Sequence, residues 1–324
     1  MSDAIAVEGL SKRFGDVQAV SGLSFTVGRG ELFGFLGPNG AGKTTTVNLL
    51  TGLARPDSGT IRLAGLDRAA GARAAQRLIG VVPDESNLYP ELTGFENLCF
   101  CAALYGLGRT ERRDRASELL DRFGLDLAAN RKFGGYSKGM KRQLTIAAGI
   151  IHQPEILFLD EPTTGIDVAS ARRVRQLVAG LHQVGTTIFL TTHYIEEAER
   201  LCERIAFVVS GRIVRTDTVE HLIQPIQEKH VVQISCPDMS DDMTGRLAAA
   251  FPGLEFTNQG QGWLRVEAGE PVPVGPLVRF LEDKGLEVFE AKRIRPSLED
   301  VFVRITGVEV DVLRKEKDRA GGGE

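Results

Sequence analysis

The segment Gly37-Pro38-Asn39-Gly40-Ala41-Gly42-Lys43-Thr44-Thr45 restricts this chain to few folds. It follows an apolar run, Leu32-Phe33-Gly34-Phe35-Leu36, and precedes the helix-like Thr46-Val47-Asn48-Leu49-Leu50. A buried strand, a glycine-rich turn and a helix N-terminus in that order form an anion cradle. Glycines let successive backbone N–H groups turn toward one centre, and the helix dipole favours negative charge there. Lys43 has the reach for the outer phosphates of a nucleotide, and the Thr44 hydroxyl is a ligand for Mg²⁺. A turn that merely joins strand to helix is the alternative. The complete strand–turn–helix context favours nucleoside triphosphate binding.

At 324 residues with 42% hydrophobic side chains, the chain can bury a large core and more than one domain. Its formal net charge of −4 argues against a nucleic-acid protein held by broad electrostatics. Cys99, Cys101, Cys202 and Cys236 form no C-x-x-C pair and are expected as reduced, buried thiols of a cytosolic protein. The five histidines are scattered and suggest no metal cluster. The N-terminal residues lack the basic and apolar regions of a secretory signal, and no apolar run approaches the roughly 20 residues that span a bilayer. Any action at a membrane is therefore expected to go through a partner.

Residues 32–36, 79–82, 156–160, 187–190 and 205–209 are strand candidates, with helices expected between them at 138–152, 168–184 and 195–202. Short β-rich runs at 4–7 and 23–27 add antiparallel decoration to this α/β core. From Pro83 to Gly135 the strand signals vanish and charged helical sequence such as 111–123 dominates, which predicts an inserted helical subdomain. Residues 218–228 read as a connecting helix. A β-α-β-β-α-β succession from Val231 to Lys292 then suggests a small ferredoxin-like domain. The expected boundaries are 1–222 for the nucleotide-binding domain, with its helical subdomain at about 84–150, and 229–308 for the small α+β domain. The charged, glycine-ending tail at 309–324 is expected to be disordered.

Four further segments carry chemistry. Ile156-Leu157-Phe158-Leu159-Asp160-Glu161 is an apolar strand ending in two carboxylates. In phosphate-loop enzymes the strand-end Asp holds the Mg²⁺ shell, which makes Asp160 the candidate. An adjacent carboxylate can polarise the water that attacks the γ-phosphate, which fits Glu161. Two solvated acids in a surface turn are the bland alternative, but Pro162-Thr163-Thr164-Gly165-Ile166-Asp167 follows directly. Thr191-Thr192-His193 comes after the next strand, where an imidazole can hydrogen-bond the γ-phosphate or the attacking water. Tyr136-Ser137-Lys138-Gly139-Met140 opens a helix. Ser137 there is an expected N-cap worth about 1 kcal/mol. Gly139 permits the close approach that a second phosphate-binding helix terminus needs.

In this order the segments resemble the ATP-binding cassette (ABC) ATPases. Residues 5–219 match that family's motif order, with Walker A at 37–45, the signature at 136–140, Walker B at 156–161, the D-loop at 164–167 and the switch histidine at His193. The resemblance implies a P-loop NTPase cassette with a mixed sheet, an antiparallel β subdomain and a helical subdomain. It implies ATP hydrolysis by Lys43, Asp160, Glu161 and His193, with Mg²⁺ held near Thr44, Asp160 and Asp84. Phe14, in Lys12-Arg13-Phe14-Gly15, sits where the family places an adenine-stacking aromatic; a core phenylalanine is an equal alternative. Two cassettes are expected to face head to tail, so that Ser137 and Gly139 contact the γ-phosphate held by the partner, with Asp167 in the D-loop between them. One cassette per chain therefore implies a second ATP-binding subunit, a homodimer being the expectation.

Two positions depart from the family pattern. Val81-Val82-Pro83-Asp84-Glu85 puts Asp84 where a Gln usually contacts the metal-bound water, and the signature reads Tyr-Ser-Lys-Gly-Met instead of Leu-Ser-Gly-Gly-Gln. Such signature variants resemble drug-, antibiotic- and ion-exporter ATPases. Arg295-Pro296-Ser297-Leu298-Glu299-Asp300-Val301-Phe302 resembles the closing motif of daunorubicin-resistance-type ATPases, and an amphipathic helix packed on the small domain is compatible with it. The expected function is thus the ATPase subunit of an exporter, peripheral at the cytoplasmic face of the cell membrane. It would touch the membrane only through a separately encoded permease, with no nucleic-acid partner. The small domain is expected to serve dimerisation or regulation. Soluble ABC ATPases of DNA repair or translation are the alternative. The first would need a coiled-coil or zinc-bearing insertion between Lys43 and Ser137, and the second a further cassette; neither is visible.

Overall fold

The computed structural model describes residues 3–68, 72–227, 230–237, 239–240, 242–294 and 297–307. The tail expected at 309–324 lies outside them, as do Arg295 and Pro296 of the C-terminal motif. The chain divides into two compact units, one running to Thr218 and one at Val219–Arg304.

The first unit is built on a six-stranded sheet in the order Arg212–Thr218, Arg204–Val209, Leu32–Leu36, Thr187–Thr192, Ile156–Asp160, Ile79–Val82. All its pairings are parallel except that of the polar edge strand Arg212–Thr218 with Arg204–Val209. The Leu32–Leu36, Ile156–Asp160 and Thr187–Thr192 strands are buried at every position, as expected for a sheet covered on both faces. Thr187–Thr192 runs two residues past its apolar stretch because Thr191 and Thr192 still pair with Phe35 and Leu36.

A second, antiparallel sheet is made by Val17–Val27, Ile5–Phe14, Ser58–Leu63 and Leu66–Asp67. Its first two strands extend well beyond the apolar runs at 4–7 and 23–27, and their pairing shifts register three times along the way. Both sheets share one core. Phe33, Phe35, Phe158 and Phe189 of the central sheet, Phe25 of the antiparallel one, and Val47, Leu49 and Leu50 of the helix Lys43–Thr51 belong to one cluster of buried side chains. Phe25 stacks on Phe33 and on Phe189, each at 5.8 Å between ring centroids.

Helices Gly94–Leu104 and Arg109–Arg122 form the insertion, and Lys138–Ile150 returns the chain to the central sheet. Thr93 and Glu96 start the first of these helices with a reciprocal capping box. The second unit carries an antiparallel sheet ordered Glu255–Asn258, Trp263–Ala268, His230–Ser235, Glu290–Ile294. Helices Asp242–Ala250 and Val274–Asp283 bury Leu247, Leu277 and Leu281 with Ile234, Leu264 and Val266 of that sheet. Its β-α-β-β-α-β succession thereby closes into the ferredoxin-like order. The helix Leu298–Thr306 follows, and Asp300 both accepts from Ser297 N at 2.9 Å and pairs with Arg265 at 2.9 Å. The anticipated amphipathic helix is thus tied to the sheet of the small unit.

Candidate active site

Parallel register brings four strand ends to one edge of the central sheet. Leu36 pairs with Thr192, Asp160 with Thr191, and Val82 with Leu159. The segments that leave these strands therefore emerge side by side, carrying Gly37, His193, Glu161 and Asp84. Open α/β sheets bind ligands in this crevice, beyond the carboxyl ends of their strands.

The glycine loop is fixed by close backbone passage. A Cβ on Gly37 would stand 2.2 Å from the Val208 carbonyl oxygen, and one on Gly42 2.3 Å from that of Ala19. Gly42 also caps the helix Lys43–Thr51 at φ 96°. Ala41 N donates to Pro38 O at 3.1 Å, and Gly211 N donates to Ala41 O at 3.0 Å. Asn39 and Gly40 are exposed at the tip, Thr44 is exposed on the first helical turn, and Thr45 is half-buried.

Lys43 is buried, and its ammonium donates to Gly37 O at 2.8 Å and Pro38 O at 3.1 Å. It also stands 3.1 Å from Glu161 Oε1. Asp160 is 2% exposed and accepts hydrogen bonds from the hydroxyls of Thr191 and Thr44. Burial pushes its carboxyl up, against those hydrogen bonds.

Glu161 adopts φ 49°, a left-handed conformation that costs a non-glycine residue roughly 1–2 kcal/mol. Its N–H donates to Thr191 O at 3.1 Å, which holds the turn. Oε2 accepts from Thr164 Oγ1 at 3.1 Å and lies 2.8 Å from His193 Nδ1. Burial opposes the charged carboxylate, but the His193 hydrogen bond and the Lys43 charge outweigh it and lower the pKa to about 2. A carboxylate can only accept, so His193 carries its proton on Nδ1. Its Nε2 is buried with no partner among the described residues.

Asp84 is exposed, 3.4 Å from Arg142. Partial burial raises its pKa, Arg142 lowers it, and the charges of Glu161 and Asp160 raise it further. Arg142 was not marked by any motif. It is 7% exposed and donates to Pro83 O and Asp84 O, both at 2.6 Å, and to Glu161 O at 3.3 Å. The available signal was its helical face, shared at i+4 and i+7 with the buried Ile146 and Gly149, which a charge enters only with partners. Glu197, 4% exposed, was likewise missed.

Ser137, Gly139 and Asp167 gather around two other helix N-termini. Ser137 Oγ accepts from Met140 N at 3.2 Å, the expected cap. Asp167 caps Val168–Gln183 by accepting from Ser170 N at 2.9 Å, and bonds from Ser170 hold its carboxyl below the usual range. Gly139 packs on Ser170, whose Oγ would lie 2.1 Å from a Cβ at position 139. Phe14 is 52% exposed, with Lys12 Nζ 5.3 Å from its ring centroid. Of its two alternatives, the core phenylalanine is excluded.

The donor set fits a nucleotide with a hard cation. Lys43 and the helix N-terminus face the cradle, and Thr44 and Asp160 offer two adjacent oxygens. No group of three or more His, Cys, Asp or Glu among the described residues could hold a metal alone. Two protein oxygens, those of Thr44 and Asp160, are the kind of set that Mg²⁺ takes when phosphate and water complete its shell.

The profile of the ABC transporter family matches residues 20–164. Daunorubicin resistance ATP-binding protein DrrA3 of Streptomyces coeruleorubidus is 39% identical over 309 residues, 94% of this chain and 96% of its own. Nod factor export ATP-binding protein I of Burkholderia lata is 39% identical over 302 residues, 93% of this chain and 96% of its own. A solved ATP-binding subunit of an ABC transporter aligns with a TM-score of 0.63 at 30% identity, covering 69% of this chain and 93% of its own. A dimeric ATP-binding cassette in a post-hydrolysis state with ADP and Pi aligns at 0.61 and 27% identity, over 66% and 98%. Relatives matched nearly end to end, and a phosphate loop set beside its acidic strand tip, make the same assignment: this chain belongs to the ABC transporter family, as one of its ATP-binding, ATP-hydrolysing cassettes.

Proposed function

We propose that the chain powers an exporter, pairing with a second copy of itself and with a separately encoded transmembrane permease at the cytoplasmic face of the cell membrane. The observation that carries the catalytic part is the Lys43–Glu161–His193 arrangement, with separations of 3.1 and 2.8 Å. Lys43 and the helix N-terminus bind the β- and γ-phosphates, and Phe14 offers its exposed ring to the adenine. Thr44 and Asp160, with Asp84 as a further oxygen, would hold Mg²⁺, and the ion would neutralise phosphate charge. Glu161 takes the proton of the attacking water, while His193 orients that carboxylate by donating from Nδ1, and only the doubly protonated ring also donates from Nε2 to the γ-phosphate. Phosphate oxygens compete with Glu161 for Lys43, and a carboxylate relieved of that charge is a stronger base. Ser137, Gly139 and Asp167 act across the pair of cassettes.

Export is supported by relatives named for daunorubicin resistance and Nod factor export, which align over more than nine-tenths of this chain. Among the described residues no helix is long and apolar enough to cross a membrane, which supports a separate permease. We read 1–222 as the cassette, with its helical subdomain at about 84–150, and 229–308 as a small domain for dimerisation or regulation. Glu161→Gln tests the reading because it keeps the shape and removes the basicity. It should bind ATP normally, turn over at least about a hundredfold slower, and elute as a dimer with ATP. Unchanged turnover would remove Glu161 as the base. Sedimentation with membranes should require a coexpressed permease; tight binding of the chain alone to membranes would reject that arrangement.

A further inference from the structure

We infer that Glu197 is a positioning residue for ATP hydrolysis, holding the two chain segments that deliver donors to Glu161. It is the third residue of the helix Ile195–Leu201 and is almost wholly buried. Its Oε2 accepts from Thr163 Oγ1 and from Thr192 Oγ1, each at 3.0 Å. Each threonine precedes by one residue a side chain that reaches Glu161 Oε2: Thr164 at 3.1 Å and His193 at 2.8 Å. A single carboxylate oxygen thus gathers two loops from neighbouring strands, and those loops converge on a single oxygen of the other carboxylate.

Thr192 extends the link. Its hydroxyl also accepts from Tyr194 N at 3.0 Å, and its carbonyl accepts from Gly37 N, the first residue of the phosphate loop, at 3.4 Å. The segment that begins at Thr163 continues to Asp167, the cap of the next helix. A shift of that segment therefore pulls on Thr163, Glu197 and Thr192 in series, and moves Thr164 and His193 relative to Glu161 together. The other oxygen, Oε1, is buried with no partner among the described residues. A half-satisfied buried carboxyl is a poor way to pin a helix, because an apolar residue of similar size would do so without the desolvation. Two hydroxyls converging on one acceptor do need an oxygen at this point.

The inference rests on the ATPase function of the site, and its test separates the two. Turnover of the purified full chain is measured for Glu197→Ala, Glu197→Gln, and Thr163→Val with Thr192→Val. Glu197→Ala should lower kcat by about tenfold to a hundredfold, the usual effect of a slightly misplaced catalytic group, with KM for ATP within about twofold. Glu197→Gln retains an oxygen acceptor and should recover most of kcat. The double threonine variant should reproduce the loss, and adding Glu197→Ala to it should cost little more. Should Glu197→Ala not fold, the threonine pair carries the same test. Wild-type kcat in Glu197→Ala or in the threonine pair, equal loss in Gln and Ala, or a rise in KM matching the fall in kcat would overturn the role. Absence of turnover in the unmodified chain would instead reject the ATPase reading itself.

Discussion

Replacing Arg142 and replacing Asp84 should have very different consequences, although the two side chains form an ion pair. The pair is 3.4 Å long and Asp84's side chain is 49% exposed, so solvent screens it to about 0.2–1 kcal/mol. The guanidinium is 7% exposed and donates to the carbonyls of Pro83, Asp84 and Glu161. Hydrogen bonds from a charged donor contribute about 1.5–3 kcal/mol each, and a stranded buried acceptor costs about 1–3 kcal/mol. Pro83 and Asp84 are solvated enough for water to replace part of the loss, whereas Glu161 is buried. Arg142→Met should therefore destabilise the chain by about 3 kcal/mol, and Asp84→Gln by less than about 1 kcal/mol. Urea unfolding followed by far-UV circular dichroism measures both. Equal losses, or a larger loss for Asp84→Gln, would refute the argument that the carbonyls, and not the carboxylate, hold Arg142.

The depressed pKa of Glu161 makes stability depend on pH. Relative to its ordinary value of 4.5, the folded value of about 2 gives a contribution that is complete above pH 4.5 and fades as pH falls toward 2. The stability difference between the wild type and Glu161→Gln should shrink through that window, while Asp160 and Glu197, raised by burial, act in the opposite sense in both proteins. A difference that stays constant from pH 7 to pH 3 would contradict the paired carboxylate. Phe14→Ala should raise KM for ATP by about fivefold and leave the unfolding midpoint unchanged, since the ring contributes stacking and no core packing; a lowered midpoint with unchanged KM would reject this. Gly40→Ala meets nothing within 4 Å and should cost only the strain of φ 77°, about 1–2 kcal/mol. Gly42→Ala adds a clash with Ala19 O and should lose considerably more stability in the same unfolding assay; equal losses would show that the loop can move away.

The central strands were legible because each is a short run of apolar residues ending in a polar or glycine-rich break. Leu32–Leu36, Ile79–Val82 and Ile156–Asp160 begin and end where that pattern predicts. The polar halves of Ile5–Phe14 and Val17–Val27 were not legible, nor was the edge strand Arg212–Thr218. Their pairing partners, and not their own side chains, make them strands. The same division applies at the site. Lys43, Asp160, Glu161 and His193 are read from segments whose chemistry is local to each strand end. Arg142 acts through hydrogen bonds to residues 19 to 59 positions away, Thr191 through one 31 away, and Thr163 and Glu197 through one that spans 34, and nothing in a helical or threonine-rich stretch announces that. Glu161's left-handed backbone was also invisible, because no glycine or asparagine marks the turn.

The contact between Gly139 and Ser170 links the histories of two positions. A methyl group at 139 would lie 2.1 Å from Ser170 Oγ and 2.5 Å from Ser170 Cβ, so even alanine at 170 would not make room. Among descendants of this sequence, any side chain at 139 should appear only together with glycine at 170 or with a displaced helix. Gly139 would then persist in copies that no longer hydrolyse nucleotide, kept by a demand internal to the single chain. Invariance at 139 across a set of homologues is therefore no measure of which of them remain active, whereas Ser137, exposed and replaceable at the cost of one cap, is free to drift once activity is lost.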